Sequence, residues 1–114
     1  MIEIPMKNVA LAVENEFAFL EDLAAPLVEW ADVFPESSNG GFKLTFQTSS
    51  GGKVKIAYTD REFSVLAGRR VLFGASKLGS FASSVFSCEQ LISALPTIRR
   101  ELEASLRLFA KGAT

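Results

Sequence analysis

The sequence contains no histidine among its 114 residues. Histidine is the usual general base near neutral pH, the usual partner of a nucleophilic serine or cysteine, and the commonest metal ligand. Its absence removes those kinds of catalysis and leaves only carboxylate-based or lysine-based chemistry. We therefore predict that the protein is not an enzyme, and we predict neither a cofactor nor a metal site.

Cysteine and long apolar runs are also scarce. Cys88 is the only cysteine, so neither an internal disulfide nor a thiolate metal cluster can form within one chain. No stretch approaches the roughly 18 uninterrupted apolar residues of a membrane span. The opening MIEIPMKNVALAVENEF has no basic region ahead of an apolar run, unlike a secretory leader. We expect a soluble, cytoplasmic protein without a membrane partner.

The charged fraction is low for so small a chain. Hydrophobic residues make up 48% of the sequence and charged residues 22%, which separates it from disordered chains. A chain of 114 residues suits one core and is too short for two ordinary domains. We predict a single domain over residues 1–114 that keeps apolar surface for a partner, with a homodimer as the commonest arrangement.

Helical spacing of apolar residues is clearest near the N-terminus. Over residues 14–34 they recur at intervals of three and four, which predicts an amphipathic helix. Pro26 lies inside this pattern and removes a backbone donor, so we expect a kink or a break there. Trp30 lies on the apolar stripe and is assigned to the core. Residues 1–13 are compatible with either a strand or a helical turn.

Strand-like alternation of apolar and polar residues occupies the middle of the chain. The four alternating segments, separated by turn-forming residues, are 42–48, 53–58, 62–67 and 69–74. Short strands joined by tight turns predict an antiparallel meander. The following stretch, 76–86, fits either a fifth edge strand or a loop.

A second helix is predicted at the C-terminal end. Ser87 and Gln90 have the S-x-x-Q spacing of a capping box, in which each side chain bonds the other residue's backbone N–H. An apolar stripe follows, Pro96 introduces either a kink or a fresh helix start, and Gly112 ends the helix. The predicted fold class is α+β: a two-layer sandwich with an N-terminal helix, a four-stranded antiparallel meander and a C-terminal helix.

Charge is distributed unevenly between these predicted layers. Residues 1–39 carry eight acidic side chains and one lysine, whereas residues 40–80 carry seven basic side chains and two acidic ones. Period-two alternation places Lys43, Lys53, Lys55 and Arg70 on the sheet face away from the helices. Lysines near phosphates gain from counterion release. The predicted nucleic-acid-binding residues are Lys43, Lys53, Lys55, Arg69, Arg70 and Lys77.

The basic face is also compatible with two roles that involve no nucleic acid. Lysines on the solvent face of a sheet resist edge-to-edge aggregation without binding anything. The acidic N-terminal helix of one copy is also suited to lie near the basic sheet of another. The aromatics that would stack on bases fall mostly on the core side of the predicted sheet, although Tyr58, at a strand end, is a candidate for access.

The segments GGKVKIAYTDREF and FSCEQLISALPTIRRELEASL together resemble the positive cofactor four type of transcriptional coactivator. The resemblance covers the C-terminal two-thirds of the chain. It implies a dimeric single-stranded-DNA-binding protein with a four-stranded antiparallel sheet and a C-terminal helix, acting in transcription regulation. By that resemblance, Lys43, Lys53, Lys55 and Arg70 would contact phosphates, and the last helical turns would help to make the dimer.

Two functional hypotheses follow. The first is a non-enzymatic module that binds single-stranded DNA or RNA through its basic sheet face. The second is a protein-binding adaptor, such as a secretion chaperone, an immunity protein or a phage-type inhibitor. The adaptor would use the acidic N-terminal helix and exposed apolar surface.

Overall fold

The computed structural model of the protein describes residues 4–18, 26–31, 41–49, 51–75, 77 and 79–110. Its elements, in chain order, are α1 (Met6–Glu16), β1 (Leu27–Ala31), β2 (Gly41–Gln47), β3 (Lys53–Thr59), β4 (Glu62–Ala67), β5 (Arg70–Phe73) and α2 (Cys88–Ala110). The predicted α+β fold is confirmed. In the described ranges, no helix is long and apolar enough to cross a bilayer.

The sheet is an antiparallel meander in the order β1-β2-β3-β4-β5. It has five strands rather than the predicted four, because Leu27–Ala31 pairs with β2. A single helix over residues 14–34 is correspondingly wrong: α1 begins at Met6, after Pro5, and ends at Glu16, and Leu27–Ala31 is a strand. Residues 19–25 and 32–34 of that prediction lie outside the described residues. Apart from Glu29, LVEWA is a short apolar run, which periodicity alone cannot assign to a helix or a strand, and pairing with β2 decides between them.

Both helices cover the same face of the sheet and share one core with it. The buried residues of α1 recur at helical spacing and are Met6, Val9, Ala10 and Val13. Those of α2 are Leu91, Leu95, Ile98, Leu102 and Leu106, and they join the sheet's inward side chains in a single cluster. Burying each large apolar side chain contributes about 1.5–3 kcal/mol, so this cluster holds the two layers together.

Two tight hairpins set the register of the central strands. Asp60 and Arg61 connect β3 to β4, and both have positive φ, 55° and 62°. Two consecutive positive φ values are the signature of a type I′ turn, whose twist matches that of the flanking strands. Gly68, with φ 63°, opens the turn between β4 and β5. Both predicted turns are confirmed.

The predicted capping box at the start of α2 is confirmed. The Gln90 backbone N–H donates to Ser87 Oγ at 3.2 Å, and the Ser87 N–H donates to Gln90 Oε1 at 3.0 Å. The helix then runs through Pro96 as one element, so the proline does not start a fresh helix. The predicted stop at Gly112 lies outside the described residues.

Replacing Ser87 with alanine should lower the free energy of unfolding by about 1 kcal/mol, because one N-terminal N–H of α2 loses its acceptor. Ser93→Ala is the matched control, since Ser93 is exposed on the same helix and alanine suits a helix interior. Urea denaturation of both variants measures the difference. Equal stability of the two variants would argue against the capping role.

Candidate functional site

One face of the sheet lies away from both described helices. Cross-strand partners share a face, so the register assigns this face directly. Its members are Leu27 and Glu29 of β1, Lys43, Thr45 and Gln47 of β2, Lys53, Lys55, Ala57 and Thr59 of β3, Glu62, Ser64 and Leu66 of β4, and Val71 of β5. We call this surface the open face.

Three of the predicted site residues come together on the open face. Lys43 pairs with Ala57 and Lys55 pairs with Thr45, so the two lysines are diagonal neighbours roughly 7–8 Å apart. Lys53 follows on the same strand as Lys55, and all three side chains are exposed. Glu29 lies directly opposite Lys43 and reduces the positive potential there.

Arg70 does not join these lysines, and its predicted place on the open face is wrong. A register shift between β4 and β5 pairs Leu66 with Val71 but Val65 with Phe73. Leu72 is therefore an extra residue in β5. The residues before it lie on the opposite face of the sheet from the one that strict alternation predicts. Arg70 consequently lies opposite Ala67, a buried residue on the helix-covered face.

The remaining two predicted residues also lie off the open face. Arg69 is in the hairpin turn between β4 and β5. Lys77 pairs with Gly74 just beyond β5, where the two backbones exchange hydrogen bonds of 3.1 Å in each direction. The six residues therefore form a row of three lysines and a separate group near β5, rather than one basic surface.

Tyr58 is not available for stacking on a base. Its side chain is 2% exposed, and its hydroxyl donates to the Phe86 carbonyl oxygen at 2.7 Å. Burial raises the pKa of this phenol above its ordinary value, and the neighbouring Cys88 thiol raises it further. Among the described residues, the open face carries no aromatic side chain.

Strand β1 exposes apolar side chains on both of its faces. Leu27, on the open face, is 64% exposed, and Trp30, on the other face, is 58% exposed. Trp30 contacts the ring of Phe42 edge-on, with centroids 6.3 Å apart, but its assignment to the core was wrong. Val28 is also exposed. We call Leu27, Val28 and Trp30 the β1 edge patch.

A groove of about 490 Å³ lies between β5 and α2. Its lining residues are Arg70, Val71, Leu72, Phe73, Lys77, Gly79, Glu101, Leu102 and Ser105. We call this the β5–α2 groove. Sequence reasoning identified its two cations but not the groove, because the lining comes from segments about 30 residues apart and no local pattern links them.

The described residues contain no group of three or more histidine, cysteine or acidic side chains placed to hold a metal ion. No protein-family model matches the chain, and no curated protein or solved structure is significantly similar to it. The resemblance to the positive cofactor four type stays a prediction. The fold and surfaces define an α+β domain with one helix-covered and one open sheet face.

Tyr58 should remain un-ionised in the folded protein above pH 10. Its neutral form is favoured by folding, so the associated stability is present below the unfolded pKa of about 10 and is lost as pH rises above it. Because Tyr58 is the only tyrosine, tyrosinate absorbance near 295 nm reports this group, and circular dichroism reports the fold. Tyrosinate forming near pH 10 with the fold intact would contradict the prediction.

Tyr58→Phe provides the control for that titration. It removes the hydrogen bond to Phe86 and should cost about 1 kcal/mol of stability at pH 8. The difference in free energy of unfolding between the wild type and the variant should become smaller above pH 10, because only the wild type then loses stability through this phenol. A gap that stays constant to pH 11 would show that Tyr58 contributes nothing to the pH dependence.

Proposed function

We propose that the protein is a non-enzymatic adaptor that binds another protein through the β1 edge patch. The observation that carries this proposal is the exposure of Trp30 and Leu27 on an edge strand. Tryptophan is enriched among residues that dominate binding energy. An edge strand also offers unpaired backbone groups to which a partner strand can be added.

The charge of β1 bears on the nature of its partner. Glu29 lies beside Leu27 on the open face of the strand. A second copy that paired about Glu29 would place two carboxylates directly opposite each other, which is destabilising. An extended segment of a different protein, apolar with a central lysine or arginine, would instead neutralise Glu29. We therefore assign this surface to a heterologous basic segment.

Trp30→Ala should weaken the partner's binding by about 30-fold or more, the effect expected of a residue worth 2 kcal/mol. The partner is first isolated by affinity purification, then prepared pure and titrated calorimetrically. Leu11→Ala is the matched control, because Leu11 is 49% exposed but lies on α1, away from β1. Its affinity should equal that of the wild type.

Two results would contradict the adaptor proposal. One is a purified partner that binds the Trp30→Ala variant as tightly as the wild type. The other is a chain that dimerises in light scattering and becomes monomeric only in the Trp30→Ala variant, since that would assign the patch to a second copy.

A second candidate function is the binding of single-stranded nucleic acid. Its support is the row formed by Lys43, Lys53 and Lys55, which lies on the open face with no ion pair to a described carboxylate. Without aromatic side chains beside them, these lysines would contact phosphates and would not distinguish one base from another. The expected binding is sequence-independent and strongly dependent on salt.

Replacing Lys43, Lys53 and Lys55 with glutamine should remove about two units of salt slope, since each phosphate contact on a single strand contributes about 0.7. Fluorescence anisotropy with labelled oligothymidine at several salt concentrations measures this slope. A control with the same net charge carries glutamine at Lys7, Arg61 and Arg100. Equal losses in both variants, or no binding by the wild type, would exclude the open face as a nucleic-acid site.

A further inference from the structure

The β5–α2 groove runs along the free edge of the sheet. It is lined by Arg70, Val71, Leu72 and Phe73, which are four consecutive residues of one strand. By the register, Arg70 and Phe73 lie on the helix-covered side of β5 and Val71 lies on the open face, so a cavity that touches all three reaches the backbone edge of the strand. The sheet order places β5 at that edge, with β4 as its one partner among the described strands.

The other wall of the groove is one face of α2. Glu101, Leu102 and Ser105 line it, and Ser105 neighbours the other two because it follows them by four and three residues on the helix. Leu102 and Phe73 are buried core residues, so the base of the groove is apolar and is fixed by the core. An extended chain laid against β5 would therefore have a helix on its other side.

The rim of the groove is positively charged. Arg70 and Lys77 are both exposed, and neither makes an ion pair with a described carboxylate. Glu101, the one acidic residue of the described lining, accepts hydrogen bonds from the Ser80 backbone N–H, at 3.0 Å, and from the Ser80 hydroxyl. Its carboxylate is thus hydrogen-bonded to the neighbouring loop and forms no ion pair with Arg70 or Lys77.

The bulge at Leu72 is what brings Arg70 to this side of the sheet. Without the extra residue, alternation from Phe73 would send Arg70 to the open face. Bulges re-aim side chains and are over-represented beside functional sites. Here the bulge separates Arg70 from the lysine row and places it with Lys77.

We propose that the β5–α2 groove binds an extended acidic peptide, which adds as a strand to β5. Main-chain hydrogen bonds to the free edge provide affinity, as in other cases of strand addition. Arg70 and Lys77 select carboxylates, and the base formed by Phe73 and Leu102 accepts an apolar side chain. Four residues of β5 span about 13 Å, which suits a recognition segment of three or four residues.

The probe is a fluorescein-labelled six-residue peptide that alternates glutamate and valine. Its binding is measured by anisotropy and located by amide chemical shifts in nuclear magnetic resonance spectra. Shifts should appear at Val71, Leu72, Leu102 and Ser105. The double charge reversal Arg70→Glu with Lys77→Glu should weaken binding roughly tenfold or more. The matched reversal Lys43→Glu with Lys53→Glu, on the open face, should leave the affinity unchanged.

A second probe separates strand addition from simple charge attraction. It is the same peptide with every other backbone amide N-methylated, made in two versions that together cover all of its amides. Each version keeps the charge of the peptide but lacks half of the N–H groups that could donate hydrogen bonds to β5. At least one version should fail to bind. Three results would each overturn the proposal. They are equal binding of the unmethylated and both methylated peptides, the absence of chemical-shift changes along the groove, and full affinity of the Arg70→Glu, Lys77→Glu variant for the peptide. Trp30→Ala should still bind the probe, so failure here is distinguishable from failure at the β1 edge patch.

Discussion

The packing of α1 and α2 onto one face of the sheet is the constraint on which the rest of the structure depends. A single buried cluster includes side chains from both helices and from all the central strands. Because the two helices share one face, the other face keeps its lysines exposed. The parts of the described sheet that the two helices leave uncovered are thus the open face and the two edges.

These surfaces differ in chemistry, and the difference comes from strand register. The open face combines three lysines with two carboxylates, Glu29 and Glu62, and with uncharged polar and apolar residues. The β1 edge exposes a tryptophan and two aliphatic side chains. The β5 edge adjoins α2 and carries two cations. The proposed protein partner accounts for more of these features than the proposed nucleic acid does, because the described sheet aromatics that would stack on bases lie on the other face of the sheet.

Much of the fold was predictable because its signals are local. The alternation of β2, β3 and β4, the two-residue turns and the capping box at Ser87 each depend on residues within a few positions of one another. The site was less predictable. The three lysines of β2 and β3 were placed correctly, but Arg70 was not, because a bulge leaves no mark on the apolar–polar pattern. The β5–α2 groove is formed by residues distant in sequence.

The sequence by itself determined the fold class, the helix-covered face of the central strands and the start of α2. Periodicity and capping both depend on residues that are only a few positions apart in the sequence. Only the tertiary structure decided that Leu27–Ala31 is a strand and that Arg70 faces α2. Both outcomes depend on hydrogen bonding to a neighbouring strand: pairing with β2 makes the short apolar run LVEWA a strand, and β5 pairs with β4 with one extra residue in β5. Such pairing fixes which side chains share a surface.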